Sequence, residues 1–246
     1  MTGRSRRLAR LATPAGSIRM VPLDHGISMG PLPGLADAAA TARRLADAGA
    51  TCFTAHKGLI PSLAGAVGNA GLLLHLSAST DLGPDPTDKR IVATVEEALP
   101  LGCDGVSIHI NLGSLGEAQQ LEDAGRVAAA CDAWGMPLLA MVYPRGPKIK
   151  TPSEPALVAH AVRLAYELGA DIAKVPYTGS AASFKTVSEA APIPVLAAGG
   201  PEDPTAFLAA MRGAQKGGAR GFSAGRNLFG NADGPRRLRE LCKVFP

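Results

Sequence analysis

At 246 residues the chain is long enough for one large domain or two small ones, and a 46% hydrophobic fraction supports a substantial core. Its 29 Gly and 20 Pro punctuate apolar segments without forming a repeat, which fits a turn-rich globular domain better than disorder. A net charge of +4 with only 4% aromatics offers little to stack on bases, so no nucleic-acid partner is expected, whereas small anionic substrates are compatible.

The chain opens on Arg4–Leu11, which reads as a short basic amphipathic helix covering the bottom of whatever sheet follows. Short apolar strands then alternate with helical patterns. The strands are Arg19–Leu23, Ala50–Thr54, Leu72–Leu76, Gly105–Ile110, Pro137–Val142, Asp171–Val175, Pro194–Ala197 and Gly221–Ala224. Between them, helical spacing marks Ala36–Ala48, Glu96–Leu101, Leu115–Trp134, Glu154–Leu168, Ala181–Ala190 and Pro204–Lys216. This many strand–helix units in about 250 residues is the size of one parallel eight-stranded (β/α)8 TIM barrel. An open doubly wound sheet would place a glycine-rich phosphate loop after its first strand. Here the first strand ends in Asp24-His25-Gly26, and the glycine-rich ends come late, which favours the barrel. No linker or shift in composition divides the chain, so residues 1–246 read as a single barrel domain.

Cys52, Cys103, Cys131 and Cys242 are widely spaced and form no CxxC pair, as expected of reduced thiols in a cytoplasmic protein. No apolar run is long enough to span a bilayer, and the basic N-terminus lacks the apolar stretch of a secretory signal, so no membrane partner is expected.

Barrel active sites lie at the C-terminal ends of the strands. The first strand delivers Asp24, on one face with Pro22, and His25 beside it as a candidate substrate contact. A carboxylate there can shuttle a proton at a substrate hydroxyl, or it can simply cap the turn. The fifth strand ends in Tyr143, on one face with Leu139 and Met141, followed by Arg145 and Lys148. A phenol at a strand mouth can exchange a proton, and its bland alternative is a core tyrosine reaching water. The sixth strand carries Lys174 on one face with Ile172. An amine among apolar neighbours loses hydration of its charged form and can become a Schiff-base nucleophile. Its alternative is a lysine snorkelling from the mouth or paired with Asp171 or Glu202. The last two strands end in Gly199-Gly200 and in Ser223-Ala224-Gly225-Arg226, where backbone N–H groups and a guanidinium can hold phosphate. Lys57, after His56, is a competing nucleophile. His75 and His109 read as core or supporting residues. No HxH or HExxH spacing occurs, so neither a metal nor any other cofactor is expected.

The segments Val21–Gly26, His56–Gly58, His75–Thr80, Val106–Asn111, Met141–Gly146, Asp171–Lys174 with Tyr177–Gly179, Ala198–Pro201 and Gly225–Phe229 together resemble the DeoC/FbaB class I aldolases. They are most similar to the branch of 2-amino-3,7-dideoxy-D-threo-hept-6-ulosonate synthase and archaeal-type fructose-bisphosphate aldolase. The resemblance runs along nearly the whole chain, with a motif at each barrel strand. It implies a metal-free Schiff-base aldolase with Lys174 as the imine-forming lysine, Tyr143 as proton donor and Asp24 as acid/base carboxylate. It also implies a ketose phosphate held by the loops of Gly199, Gly200, Gly225 and Arg226, and a ring-shaped homo-oligomer. The acceptor it suggests is L-aspartate semialdehyde, joined to dihydroxyacetone phosphate or taken up from a deoxy-ketohexose phosphate donor, with an amino-keto-heptonate product. Arg145 and Lys148 are candidates for its carboxylate. A fructose-bisphosphate aldolase and, from another class, a non-catalytic phosphate-binding barrel remain as alternatives. The family's Thr after the lysine and Asp after Tyr-Thr-Gly are Val175 and Ser180 here, which bears on substrate choice.

Overall fold

The computed structural model describes residues 2–246; Met1, the first residue of the 1–246 reading, lies outside the described residues. In chain order the elements begin with α1 (Gly3–Arg10), β1 (Ile18–Pro22), α2 (Gly26–Met29), α3 (Ala38–Asp47), β2 (Cys52–Ala55), α4 (Ile60–Ala64) and β3 (Gly71–His75). A small hairpin follows, β4 (Ser77–Ala78) with β5 (Arg90–Ile91), then α5 (Val95–Ala98), β6 (Gly105–Leu112), α6 (Glu117–Trp134) and β7 (Leu138–Pro144). The remainder is α7 (Pro155–Glu167), β8 (Ile172–Pro176), α8 (Ala181–Ser188), β9 (Val195–Ala198), α9 (Pro204–Lys216), β10 (Gly221–Ser223), α10 (Arg226–Phe229) and α11 (Gly234–Val244).

Parallel pairing closes the sheet in the order β1-β10-β9-β8-β7-β6-β3-β2, and β2 pairs with β1 to complete the barrel. Every strand expected from the sequence is present, as are the helices between them. Strand alternation explains the two cores. Val21, Phe53, Leu72, Leu74, Val106, Ile108, Ala173 and Val175 face outward and pack under the helices. Met20, Cys52, Leu73, Leu139, Met141, Ile172 and Leu196 face inward and fill the lower barrel, so it is a packed core rather than a pore. Side-chain caps at Asp37, Thr94, Ser180 and Asp203 start α3, α5, α8 and α9, each a contribution of about 1 kcal/mol.

The N-terminal helix covers the barrel bottom, as its sequence suggested. Its C-cap residue Leu11 is fully buried within the inner core. The basic residues are anchors rather than a nucleic-acid patch. Arg4 reaches Asp132 at 2.6 Å and Asp171 at 3.6 Å, and Arg10 reaches Asp104 at 3.0 Å. Asp104 and Asp171 sit at the N-terminal ends of β6 and β8, so these pairs tie the helix to the closed end of the barrel.

Helix α11 was not anticipated. Its mean hydropathy is low because four arginine and lysine residues and a glutamate share its turns, but Leu238 and Leu241, spaced three apart, are both buried. Proline at its first turn and that i, i+3 pair were the available signals. Among the described residues no helix is long and apolar enough to cross a membrane. Burial pushes the thiols of Cys52, Cys103 and Cys131 up to about 12, so they stay protonated packing groups.

Candidate active site

A parallel barrel brings all its strand C-termini to one end, and there a cavity of about 1000 Å³ opens. Asp24, His25, Tyr143, Arg145, Lys174, Gly199, Gly200, Ser223, Gly225 and Arg226 all line it. Residues scattered over 200 positions thus meet because each ends a strand or begins the loop after it.

Lys174 pairs in register with Met141 on β7 and Leu196 on β9, and alternation sends its side chain inward above Ile172. It is only 7% exposed, and its Nζ contacts Met141 Sδ at 3.4 Å. Among the described residues no carboxylate lies within ion-pair distance of it. Asp171 is engaged with Arg4 at the opposite end, so the paired-lysine alternative does not hold. The snorkelling alternative fails on burial.

Asp24 follows β1 at the floor of the cavity. His25 Nδ1 lies 3.3 Å from one of its oxygens and His75 Nε2 lies 3.8 Å from the other. Burial alone would raise its pKa, but the His25 contact and the positive potential of His75 and Lys174 outweigh it and hold the carboxyl well below the usual range. It is ionised at neutral pH. His75 is oriented from behind, its Nδ1 2.8 Å from Ser107 Oγ. Its ring lies 5.1 Å from that of His56. Burial pushes His75 down to about 3 and lowers His56 and, strongly, His109. The Asp24 anion therefore sits near three imidazoles, those of His56, His75 and His109, that burial keeps neutral.

This histidine layer makes stability acid-sensitive. Below pH 6.5 the unfolded chain takes up a proton at His75 that the folded protein refuses until about pH 3, so stability falls as pH drops through that window. At 1.36 kcal/mol per unit, about 2 kcal/mol is lost by pH 5. Urea unfolding at pH 7 and pH 5 should show this loss in the parent protein and a loss smaller by about that amount in His75→Gln.

Tyr143 packs against His109, ring centroids 5.0 Å apart, and Arg145 Cζ sits 4.6 Å over its ring. His109 Nε2 is in turn 3.0 Å from Asn111 Oδ1. Across the mouth, the turn after β9 uses Gly199 at φ 72° and Gly200 at φ 135°, backbone that only glycine adopts without strain. At Gly225 a Cβ would come within 2.7 Å of the His25 ring, so the absence of a side chain lets the two loops close on each other.

Setting aside His25 Nδ1, which faces Asp24, three buried side-chain polar atoms of cavity residues lack a hydrogen-bond partner among the described residues: His56 Nε2, Ser223 Oγ and Arg237 Nε. Leaving such groups unpaired costs about 1–3 kcal/mol each, and their clustering marks a surface shaped for a polar ligand.

Some expectations need correction. Lys57 does not compete as a nucleophile: it is half exposed and paired with Glu97 at 2.8 Å, outside the cavity. Lys148 does not line the cavity either. Val175 points into the outer core and Ser180 caps α8, so neither of these departures from the family pattern meets a ligand directly. Of the two readings left for His75 and His109, core or supporting, the structure favours the second: both line the cavity, His75 beside Asp24 and His109 against Tyr143. The sequence reading missed Lys89, carried by the β4–β5 hairpin, and Arg237, carried by α11. Both sit on elements with no strand-end signal of their own.

The family signature of the DeoC/LacD family aldolases matches residues 18–231. A 2-amino-4,5-dihydroxy-6-oxo-7-(phosphonooxy)heptanoate synthase of Streptomyces griseus is 46% identical over 213 residues, 85% of this chain and 78% of the relative. A 2-amino-3,7-dideoxy-D-threo-hept-6-ulosonate synthase of Archaeoglobus fulgidus is 44% identical across 100% of this chain and 91% of its own. Among solved structures, an archaeal fructose-1,6-bisphosphate aldolase with its catalytic Lys covalently bound to a carbinolamine intermediate superposes with a TM-score of 0.91 at 30% identity, covering 98% of this chain and 99% of that one. Identity at this level, sustained from the first barrel strand to beyond the last, is more than shared barrel architecture accounts for: the chain belongs to the DeoC/LacD family and is a class I aldolase.

Proposed function

We propose that the protein joins dihydroxyacetone phosphate to L-aspartate semialdehyde through an imine on Lys174. The observation that carries this reading is the placement of Lys174, buried and without a carboxylate partner, in one cavity with Tyr143, Asp24 and two glycine-bearing loops. The product named for the S. griseus relative has a C6 ketone, hydroxyls at C4 and C5, a C2 amine and a C7 phosphate. An aldol bond sits between the α- and β-carbons of a ketone, so such a molecule divides at C4–C5. The fragments are dihydroxyacetone phosphate and a four-carbon α-amino acid aldehyde, aspartate semialdehyde.

In the proposed cycle Lys174 Nζ adds to the ketone and the carbinolamine loses water to give an iminium. A proton leaves the adjacent carbon through the Tyr143 hydroxyl, which hands its own proton on to water, leaving an enamine whose carbon attacks the aldehyde. The aldehyde oxygen takes up a proton from water by way of the Asp24 carboxylate to become the new hydroxyl, and a further water hydrolyses the imine to release product and amine. In the cleavage direction Asp24 accepts that hydroxyl proton. Its strongly lowered pKa makes it a weak base, so its larger contribution is electrostatic, steadying the iminium cation. Gly199, Gly200, Ser223, Gly225 and Arg226 hold the donor phosphate, joined by Arg237 from α11, and His25 contacts the donor between them and Asp24. Fixing the donor in this way contributes orientation, worth up to ~7–11 kcal/mol in well-aligned cases.

Borohydride reduction in the presence of dihydroxyacetone phosphate should leave a stable adduct on Lys174, read by peptide mass mapping. An unmodified protein, or an adduct on Lys57, overturns the assignment. Similarity to the archaeal fructose-1,6-bisphosphate aldolase supports a second reading, with glyceraldehyde 3-phosphate as acceptor. Offering both aldehydes in competition decides between them, and dominant condensation with the aldose phosphate would favour the second.

A further inference from the structure

Around the barrel, the loops after β9 and β10 face the gap between β6 and β3 across the full width of the mouth. That far side carries its own charges. Lys89, Arg145 and Asp81 line the cavity there, Lys89 and Asp81 on the segment between β4 and β5 and its approach, and Arg145 after β7. The segment is held in place from the barrel. The Thr87 carbonyl accepts from Asn111 Nδ2 at 2.7 Å and from Gln120 Nε2 at 2.9 Å. Lys89 Nζ donates to Ser79 Oγ at 2.5 Å, and the Ser79 carbonyl accepts from Ser28 Oγ. Asp81 is tied to the same residue, its N–H donating to the Ser28 carbonyl at 3.0 Å. Lys89 is partly buried; burial and the Arg145 charge lower its pKa, with Asp81 and Asp24 opposing them.

We propose that this group is the head-group clamp for the acceptor: Lys89 and Arg145 hold its carboxylate and Asp81 holds its ammonium, so the enzyme selects an α-amino acid aldehyde over an aldose phosphate. The inference rests on the aldolase reading of Lys174. Two cations alone would suit a carboxylate or a phosphate equally. An acidic side chain beside them changes the sign of the argument, because it repels the second charge of a phosphate and pairs with the amine of a zwitterion. The placement also fits the order of groups along the product, with the donor phosphate on one side of the mouth, the amino acid head on the other and Lys174, on β8, between.

The test uses dihydroxyacetone phosphate as donor and three aldehydes: L-aspartate semialdehyde, succinate semialdehyde, which keeps the carboxylate and lacks the amine, and glyceraldehyde 3-phosphate. Asp81→Asn should lower kcat/KM for L-aspartate semialdehyde by about tenfold, the scale of one charge-assisted hydrogen bond, and leave succinate semialdehyde within about twofold. Lys89→Gln should lower both carboxylate-bearing aldehydes by about tenfold or more. Arg145 is a poorer probe, because it stacks on Tyr143. Asp81 is exposed and joins the fold through its backbone, so its variant keeps the scaffold. An Asp81→Asn variant that weakens both carboxylate-bearing aldehydes alike, or neither, overturns the clamp while a trapped Lys174 adduct still stands. Loss of that adduct in the parent protein overturns the aldolase reading itself.

Discussion

Lys174→Met should abolish condensation, lowering kcat by on the order of 10⁴–10⁶-fold as expected for loss of a covalent nucleophile, and should leave no borohydride-stable adduct. The same variant should unfold at a higher temperature. Lys174 is 7% exposed and its Nζ has Met141 Sδ at 3.4 Å as its hydrogen-bond contact, so the folded state carries a poorly solvated amine. Methionine fills a similar volume with no charge to desolvate. A gain of about 1 kcal/mol corresponds to roughly 2–4 °C in a chain of this size. Calorimetry on the two proteins checks the stability half, and single-turnover assays check the chemistry. Residual turnover within a factor of about ten of the parent would mean that the covalent step lies elsewhere.

Tyr143→Phe should separate imine formation from bond making. The ring that packs on His109 and under Arg145 is retained, so the cavity keeps its shape and only the phenol oxygen is lost. Condensation should slow by about 10²–10⁴-fold, the usual reach of general acid–base catalysis. The donor should still be trapped on Lys174, but exchange of its α-proton with deuterated water should fall in proportion to turnover. A variant that loses trapping as severely as turnover would place Tyr143 in imine formation rather than in proton transfer at carbon. Unchanged exchange would remove it from the chemistry altogether.

The barrel was legible because its signals are local. Each inner strand is a short apolar run, each helix has a 3.6-residue apolar stripe, and both repeat through the chain at nearly even spacing. Strand alternation also grouped Met141 with Leu139 and Lys174 with Ile172 on one face each, since a period of two needs no tertiary information, and closure turned those faces inward. Helix α11 escaped because its charges dilute the stripe of Leu238 and Leu241 that the barrel's outer surface buries. The β4–β5 hairpin escaped because two-residue strands carry no periodicity.

By itself, then, the sequence determined the repeating strand–helix units, the reactive groups at their ends and the resemblance to class I aldolases. It ranked Lys174 above Lys57 without excluding the second, and it could not distinguish His75 and His109 as cavity residues from core ones. Those decisions belong to closure of the barrel. Pairing β1 with β10 turns distances along the chain into positions around a ring, and sets Lys174 inside among apolar neighbours while Lys57 swings out to Glu97. Closure also sets the glycine-bearing loops after β9 and β10 across from Lys89 and Asp81, because the opening between opposite strands is fixed by strand number and tilt rather than by any residue. Charge, burial and the ionisation that follows from them are properties of that shared space, and no single segment contains them.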